Sequence, residues 1–241
     1  MTDEPTQPTS TLEAALDYTR HGIAVLPVYW PGTLDPRGMG ARSRTSPSPS
    51  MLACSCGAPD CQTPAEHPIK PTTIDDATVR VIIVTEWCQT HPYANLATVA
   101  GTSFDMIEVP YRGKTAPLVA WLAAQSIPPC PIIDTGQGRL QFPVRNPPPA
   151  TALRSTDGAA RRLEPGTLVL LPPSQHIDGA TVTWRRPFDD RTLLLPDAAR
   201  MLRVLAGLKQ PKHSGPGSGN RSGSGASIQG TASGPARITT R

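Results

Sequence analysis

Asn95-Leu96-Ala97-Thr98-Val99-Ala100-Gly101, followed at once by Phe104-Asp105-Met106-Ile107-Glu108-Val109-Pro110, reads as two consecutive short strands, the first stopped by glycine. Helices flank the pair. Upstream, Asp75 or Asp76 is in place to cap a helix carrying Val79, Ile82, Ile83, Glu86 and Trp87 on adjacent turns. Downstream, residues 115–125 place Leu118, Trp121 and Leu122 on one helical side. Further out, Ser10-Thr11-Leu12-Glu13 fits a capping box, with Leu12, Ala15, Leu16 and Thr19 following on one face and Gly22 ending the helix. Ile23 to Val28 reads as a short buried strand. Toward the other end, Pro131–Asp134 and Leu140–Val144 flank the turn Thr135-Gly136-Gln137-Gly138. Thr167–Leu171 is an apolar strand stopped by Pro172-Pro173, Val182–Trp184 is another, and 196–207 is a last helix. This order predicts an α+β or α/β single domain.

A chain of 241 residues, 38% hydrophobic, can bury a core, yet its 29 prolines and 20 glycines exceed ordinary usage. Much of the excess lies in 31–50 and 211–236, which are therefore expected as loop and tail. The expected organisation is a disordered start over 1–10, one domain over 11–207 with a proline-rich loop at 31–72, and a disordered Gly/Ser tail over 208–241. Five of the 23 basic residues, Lys209, Lys212, Arg221, Arg237 and Arg241, lie in that tail, leaving 18 against 19 acidic ones in the body. The body is thus not an obvious nucleic-acid surface, and any use of the tail on DNA would be through phosphate charge. No apolar run of about 18 residues exists to span a membrane, and the acidic Met1-Thr2-Asp3-Glu4 start is no signal peptide. A cytoplasmic protein is expected.

The loop holds the strongest chemical signal. Cys54, Cys56, Cys61 and His67 form C-x-C-x4-C-x5-H in a polar stretch with no core to fill. Three thiolates and an imidazole suit tetrahedral zinc, and four protein ligands are the structural pattern. The alternatives are a disulfide with a spare thiol, or three reduced cysteines. Cys88 and Cys130 sit beside apolar residues and are expected as buried thiols, and His21 and His91 adjoin helix ends.

The order of landmarks resembles the bifunctional DNA primase/polymerase N-terminal domain, the archaeo-eukaryotic primase-like prim-pol module. The resemblance rests on Gly22–Pro27, the cysteine cluster with His67-Pro68, Trp87 with Pro92 and Asn95, Thr135–Arg139, Leu171–His176, and Gly179 with Trp184. It covers roughly residues 11–205. The resemblance implies a mixed sheet flanked by helices, and a strand bearing two carboxylates at i and i+2 that share a face and hold a magnesium or manganese pair. It further implies a histidine on the strand after the Gly-rich turn and a third acid before the Pro-Pro-Ser strand. Laid on this sequence, the carboxylate positions fall on Glu108 and Pro110, the histidine on Leu140, and the third acid near Pro165 with Glu164 beside it. Asp105, an odd number of residues from Glu108, points to the other face.

Glu108 is thus read as a vestigial catalytic carboxylate, with magnesium or manganese relevant only to a catalytic member. Arg139, Lys114, Ser174 and His176 are candidates for nucleotide or DNA contacts, each with a purely structural alternative. Three readings of function are carried: a degenerate primase/polymerase-like module binding DNA or nucleotides, with replication proteins as possible partners; an active primase-polymerase; and a zinc-stabilised protein-interaction module.

Overall fold

The computed structural model describes residues 10–33, 52–146, 160–188 and 195–208. The expectations for residues 1–9, for the proline-rich stretch 34–51 and for the tail from 209 lie outside these.

Ser10 opens helix α1 (Thr11–Arg20), its Oγ accepting the Glu13 N–H at 3.1 Å. Gly22, at φ +72°, lets the chain turn away while the Ile23 N–H reaches back to the Tyr18 carbonyl. The buried face is Ala14, Ala15, Tyr18 and Thr19, whereas the expected stripe ran through Leu12 and Leu16. Tyr18 decides the rotation. Its hydroxyl donates to the Pro172 carbonyl and accepts from Trp184 Nε1 at 3.1 Å, so the helix turns this ring inward.

Strands β1 (Leu26–Val28), β4 (Asn95–Val99) and β9 (Leu168–Leu171) form an antiparallel sheet in the order β1-β4-β9. Five strands form a second sheet: β10 (Thr183–Arg186), β6 (Ile132–Asp134), β7 (Arg139–Val144), β5 (Asp105–Pro110) and β8 (Arg161–Arg162), in that order. A small hairpin, β2 (Pro31–Thr33) with β3 (Leu52–Cys54), carries the first cysteine. Helices α1 and α2 (Val81–Thr90) share one core with the three-stranded sheet and one face of the five-stranded sheet, including Leu26, Leu96, Leu171, Met106 and Trp184. Helices α3 (Thr115–Ala124) and α4 (Ala198–Ala206) cover the opposite face through Ile107, Phe142, Leu118 and Met201. The fold is mixed α+β.

Helix α2 corrects the expected start. Asp75 and Asp76 lie instead in a short 3-10 turn (Ile74–Asp76), where the Asp76 carboxylate accepts the Thr73 N–H at 2.7 Å. Thr78 is held extended by paired backbone bonds of 3.0 Å to Val25, so helical geometry resumes only at Val81. The later start turns Val79 and Ile82 to solvent, 44% and 82% exposed, and buries Val84 and Cys88. Cys88 and Cys130 are both buried, and burial pushes their thiol pKa upward, to about 12 for Cys130.

Candidate functional site

Strand β5 alternates strictly. Asp105, Ile107 and Val109 face the α3/α4 side, while Met106 and Glu108 face the other sheet, as register with β7 and the two cores require. Asp105 is fully buried and ion-paired with Arg162, well removed in orientation from Glu108. Glu108 lies opposite Gln141 of β7 on one side and Arg161 of β8 on the other. Its Oε1 accepts Arg139 Nε at 2.7 Å and Arg161 Nε at 3.0 Å, and its Oε2 accepts Gln141 Nε2 at 3.1 Å.

The turn before β7 delivers Arg139. Gly136 and Gly138 have φ of +74° and +77°, and a Cβ on either would sit 2.7 Å from Thr181 O or Arg112 Nε. No other residue type meets both demands without strain. Arg139 then starts β7 opposite Pro110 and turns its guanidinium back to Glu108.

These residues line a cleft of about 450 Å³ between the two sheets. Glu108, Arg139, Gln141 and Arg161 form one wall, and Leu168 and Leu170, two apart on β9, belong to the other. Thr167, Glu66 and His176 also line it, so Glu108 shares this cleft with residues on either side of the Pro-Pro-Ser turn. His176 Nδ1 lies 2.6 Å from Glu66 Oε1. Ser174 is placed elsewhere: its hydroxyl donates to the Leu96 carbonyl and accepts the Leu96 N–H, both at 2.9 Å, clasping β4. Lys114 caps α3 and does not line the cleft, and Glu164 is exposed outside it while Leu163 lines it.

Among the described residues, the strand positions do not fit a divalent metal pair. Glu108 stands where two carboxylates are needed, its oxygens are taken by two guanidiniums and an amide, Pro110 offers no side-chain donor, and the cleft's other carboxylate, Glu66, is paired with His176. Burial works to raise the Glu108 pKa, but Gln141, Arg161 and Arg139 outweigh it and hold the carboxyl below its usual range. Because the folded-state value is depressed, the ionised group contributes stability above the unfolded carboxyl's pKa, and this is lost as pH falls through the folded value. Glu108→Gln should therefore cost about 2 kcal/mol at neutral pH, the low side for a broken buried pair because both arginines reach solvent. Urea unfolding of both proteins should show the gap closing below about pH 4.

The metal-type residues do converge. The Sγ atoms of Cys54, Cys56 and Cys61 and a His67 ring nitrogen all lie within 4.8 Å of one another. His67 Nε2 is 3.4 Å from Cys54 Sγ and 3.3 Å from Cys61 Sγ. Zinc bond lengths at a tetrahedral angle put such atoms about 3.6 Å apart, so the four can hold a metal ion. The Ala58 and Ala65 N–H groups donate to Cys56 and Cys54 Sγ at 3.5 and 3.3 Å, and Tyr29 packs on the His67 ring at 4.5 Å between centroids.

Sequence reasoning missed Arg161, Gln141 and Glu66. Gln141 was within reach of it, lying two residues beyond Arg139 on one strand. Arg161-Arg162 reads as a solvated pair, and nothing local marks Glu66 apart from its place before His67. The family model described as bifunctional DNA primase/polymerase, N-terminal, matches residues 15–198. No curated protein matches the chain.

Proposed function

Since the chain belongs to the bifunctional DNA primase/polymerase N-terminal family, we propose that it is a primase/polymerase-like domain that binds nucleotide phosphates without performing nucleotidyl transfer. The observation that carries the reading is the Glu108 carboxylate clamped by Arg139 and Arg161, with Pro110 beside it. In a metal-dependent enzyme this end of the cleft would hold cations. Here one carboxylate faces two guanidiniums, so the local excess is positive and favours an anion. Arg139 meets Glu108 through Nε at 2.7 Å, and its planar guanidinium carries further N–H donors of the kind that suit phosphate oxygens. The cleft's volume falls within the span of small-molecule sites.

Loss of transfer follows from the same arrangement. Phosphoryl-transfer catalysis rests on positioning and on charge stabilisation by bound ions, and among the described residues none lining the cleft replaces those ions for the attacking hydroxyl. The Cys54/Cys56/Cys61/His67 group is proposed to hold structural zinc, since three thiolates and an imidazole favour that ion over magnesium or manganese. The test is a primed template with labelled nucleotides and either magnesium or manganese. No extension is expected, and extension that disappears in a Glu108→Ala protein would overturn the proposal.

A further inference from the structure

His176 sits on the hairpin after β9, its N–H bonded to the Ala180 carbonyl at 2.8 Å, and its side chain is 9% exposed. Its Nδ1 is taken by the Glu66 carboxylate, which can only accept, so the ring hydrogen lies on Nδ1. Nε2 is buried and, among the described residues, has no hydrogen-bond partner, on a residue that lines the cleft. A buried, unpaired ring nitrogen is costly unless something supplies a partner. An imidazole held at one nitrogen and open at the other is arranged to meet a ligand.

Glu66 has a second attachment. It is the residue before His67, one of the four metal-type ligands, and its side chain is 45% exposed on a surface loop. The neighbouring Ala65 donates its N–H to Cys54 Sγ at 3.3 Å, and its carbonyl accepts Asn95 Nδ2 at 3.2 Å. The same Asn95 side chain bonds the backbone of Gln175 on both sides, Nδ2 to the carbonyl at 2.7 Å and Oδ1 from the N–H at 3.0 Å. Residues 65–66 and 175–176 are thus joined through Asn95 and through the Glu66–His176 contact. An ion on the neighbouring His67 would brace this polar loop and, with it, the position of Glu66.

We infer that Glu66 is a positioning residue that holds His176 as a ligand-contacting imidazole of the cleft, and that occupancy of the Cys3His site sets the cleft's affinity through it. The inference rests on the nucleotide reading for its ligand, but the coupling between metal and imidazole stands apart from that reading. It links two features that sequence separates by 110 residues.

The test uses the full chain with its metal. Long-range 15N–1H spectra of the ligand-free protein should show the His176 hydrogen fixed on Nδ1 and Nε2 bare. Removing the metal with a chelator, or the substitution Glu66→Ala, should each collapse that signature into exchange between tautomers. Glu66→Ala should keep its full metal content, so it reads the coupling even if chelation unfolds the domain. With a nucleoside triphosphate as probe, Glu66→Ala and His176→Ala should each weaken binding by about tenfold, and the double variant no further. An unchanged His176 ring in the Glu66→Ala protein, or additive losses in the double variant, would overturn the inference. A wild-type protein that binds no nucleotide would sink the functional reading instead, leaving the ring spectra to decide the coupling.

Discussion

Replacing Arg139 and Arg161 together by alanine is expected to weaken nucleoside triphosphate binding about a hundredfold or more. Each guanidinium offers charge-assisted hydrogen bonds to phosphate, and a hydrogen bond to a charged group contributes about 1.5–3 kcal/mol. The double substitution also leaves Glu108 uncompensated in the wall of the cleft, where its charge would repel the ligand. Calorimetric titration measures the loss, and a melting curve alongside it separates lost contacts from lost fold. Arg161→Ala alone should give a smaller decrease, because Arg139 still holds Glu108 at 2.7 Å. Equal affinity for wild type and the double variant would remove the cleft from nucleotide binding.

The second large effect concerns the metal loop. The purified protein should carry one equivalent of zinc per chain, and Cys56→Ser should lose at least most of it, since three ligands rarely close a structural site. Chelation should then open amide exchange over residues 52–72, while the core strands β4, β5 and β7 stay protected, because they belong to packed layers elsewhere. Thiol labelling gives an independent reading. In chelator Cys54, Cys56 and Cys61 should become reactive, while Cys88 and Cys130, buried with raised pKa, should not. Elemental analysis far below one equivalent, or a Cys56→Ser protein equally loaded, would contradict the site.

How far the sequence discloses this arrangement depends on how local each feature is. The strand pair 95–101 and 104–110 and the helix at 115–125 follow from alternation and periodicity, which act within a few residues. The same rule places Asp105 and Glu108 on opposite faces, and the structure agrees. The Cys3His group that can hold a metal ion is legible because residue type and spacing together restrict the chemistry. The start of α2 is not legible, because its cause is a backbone bridge from Thr78 to Val25, some fifty residues earlier. Nor is the environment of Glu108. Its partner Arg161 is 53 residues away and comes from a strand of two residues, too short to leave any periodic trace. Ser174 shows the reverse case. Its place in a Pro-Pro-Ser turn suggests a ligand contact, yet its hydroxyl is taken by the Leu96 backbone on both sides. Long-range pairing of polar side chains is the part of the site that sequence alone cannot supply.

On the proposed function, Arg139 and Arg161 stand on the ground beside Glu108 that metal ions would occupy in a metal-dependent enzyme. Nucleoside triphosphate affinity, measured by titration in chelator and again in excess magnesium, tests it most directly. The expected result is binding in chelator that weakens with added salt and gains little from magnesium. Binding that appears only when magnesium is present, and that is lost in Glu108→Ala, would contradict it.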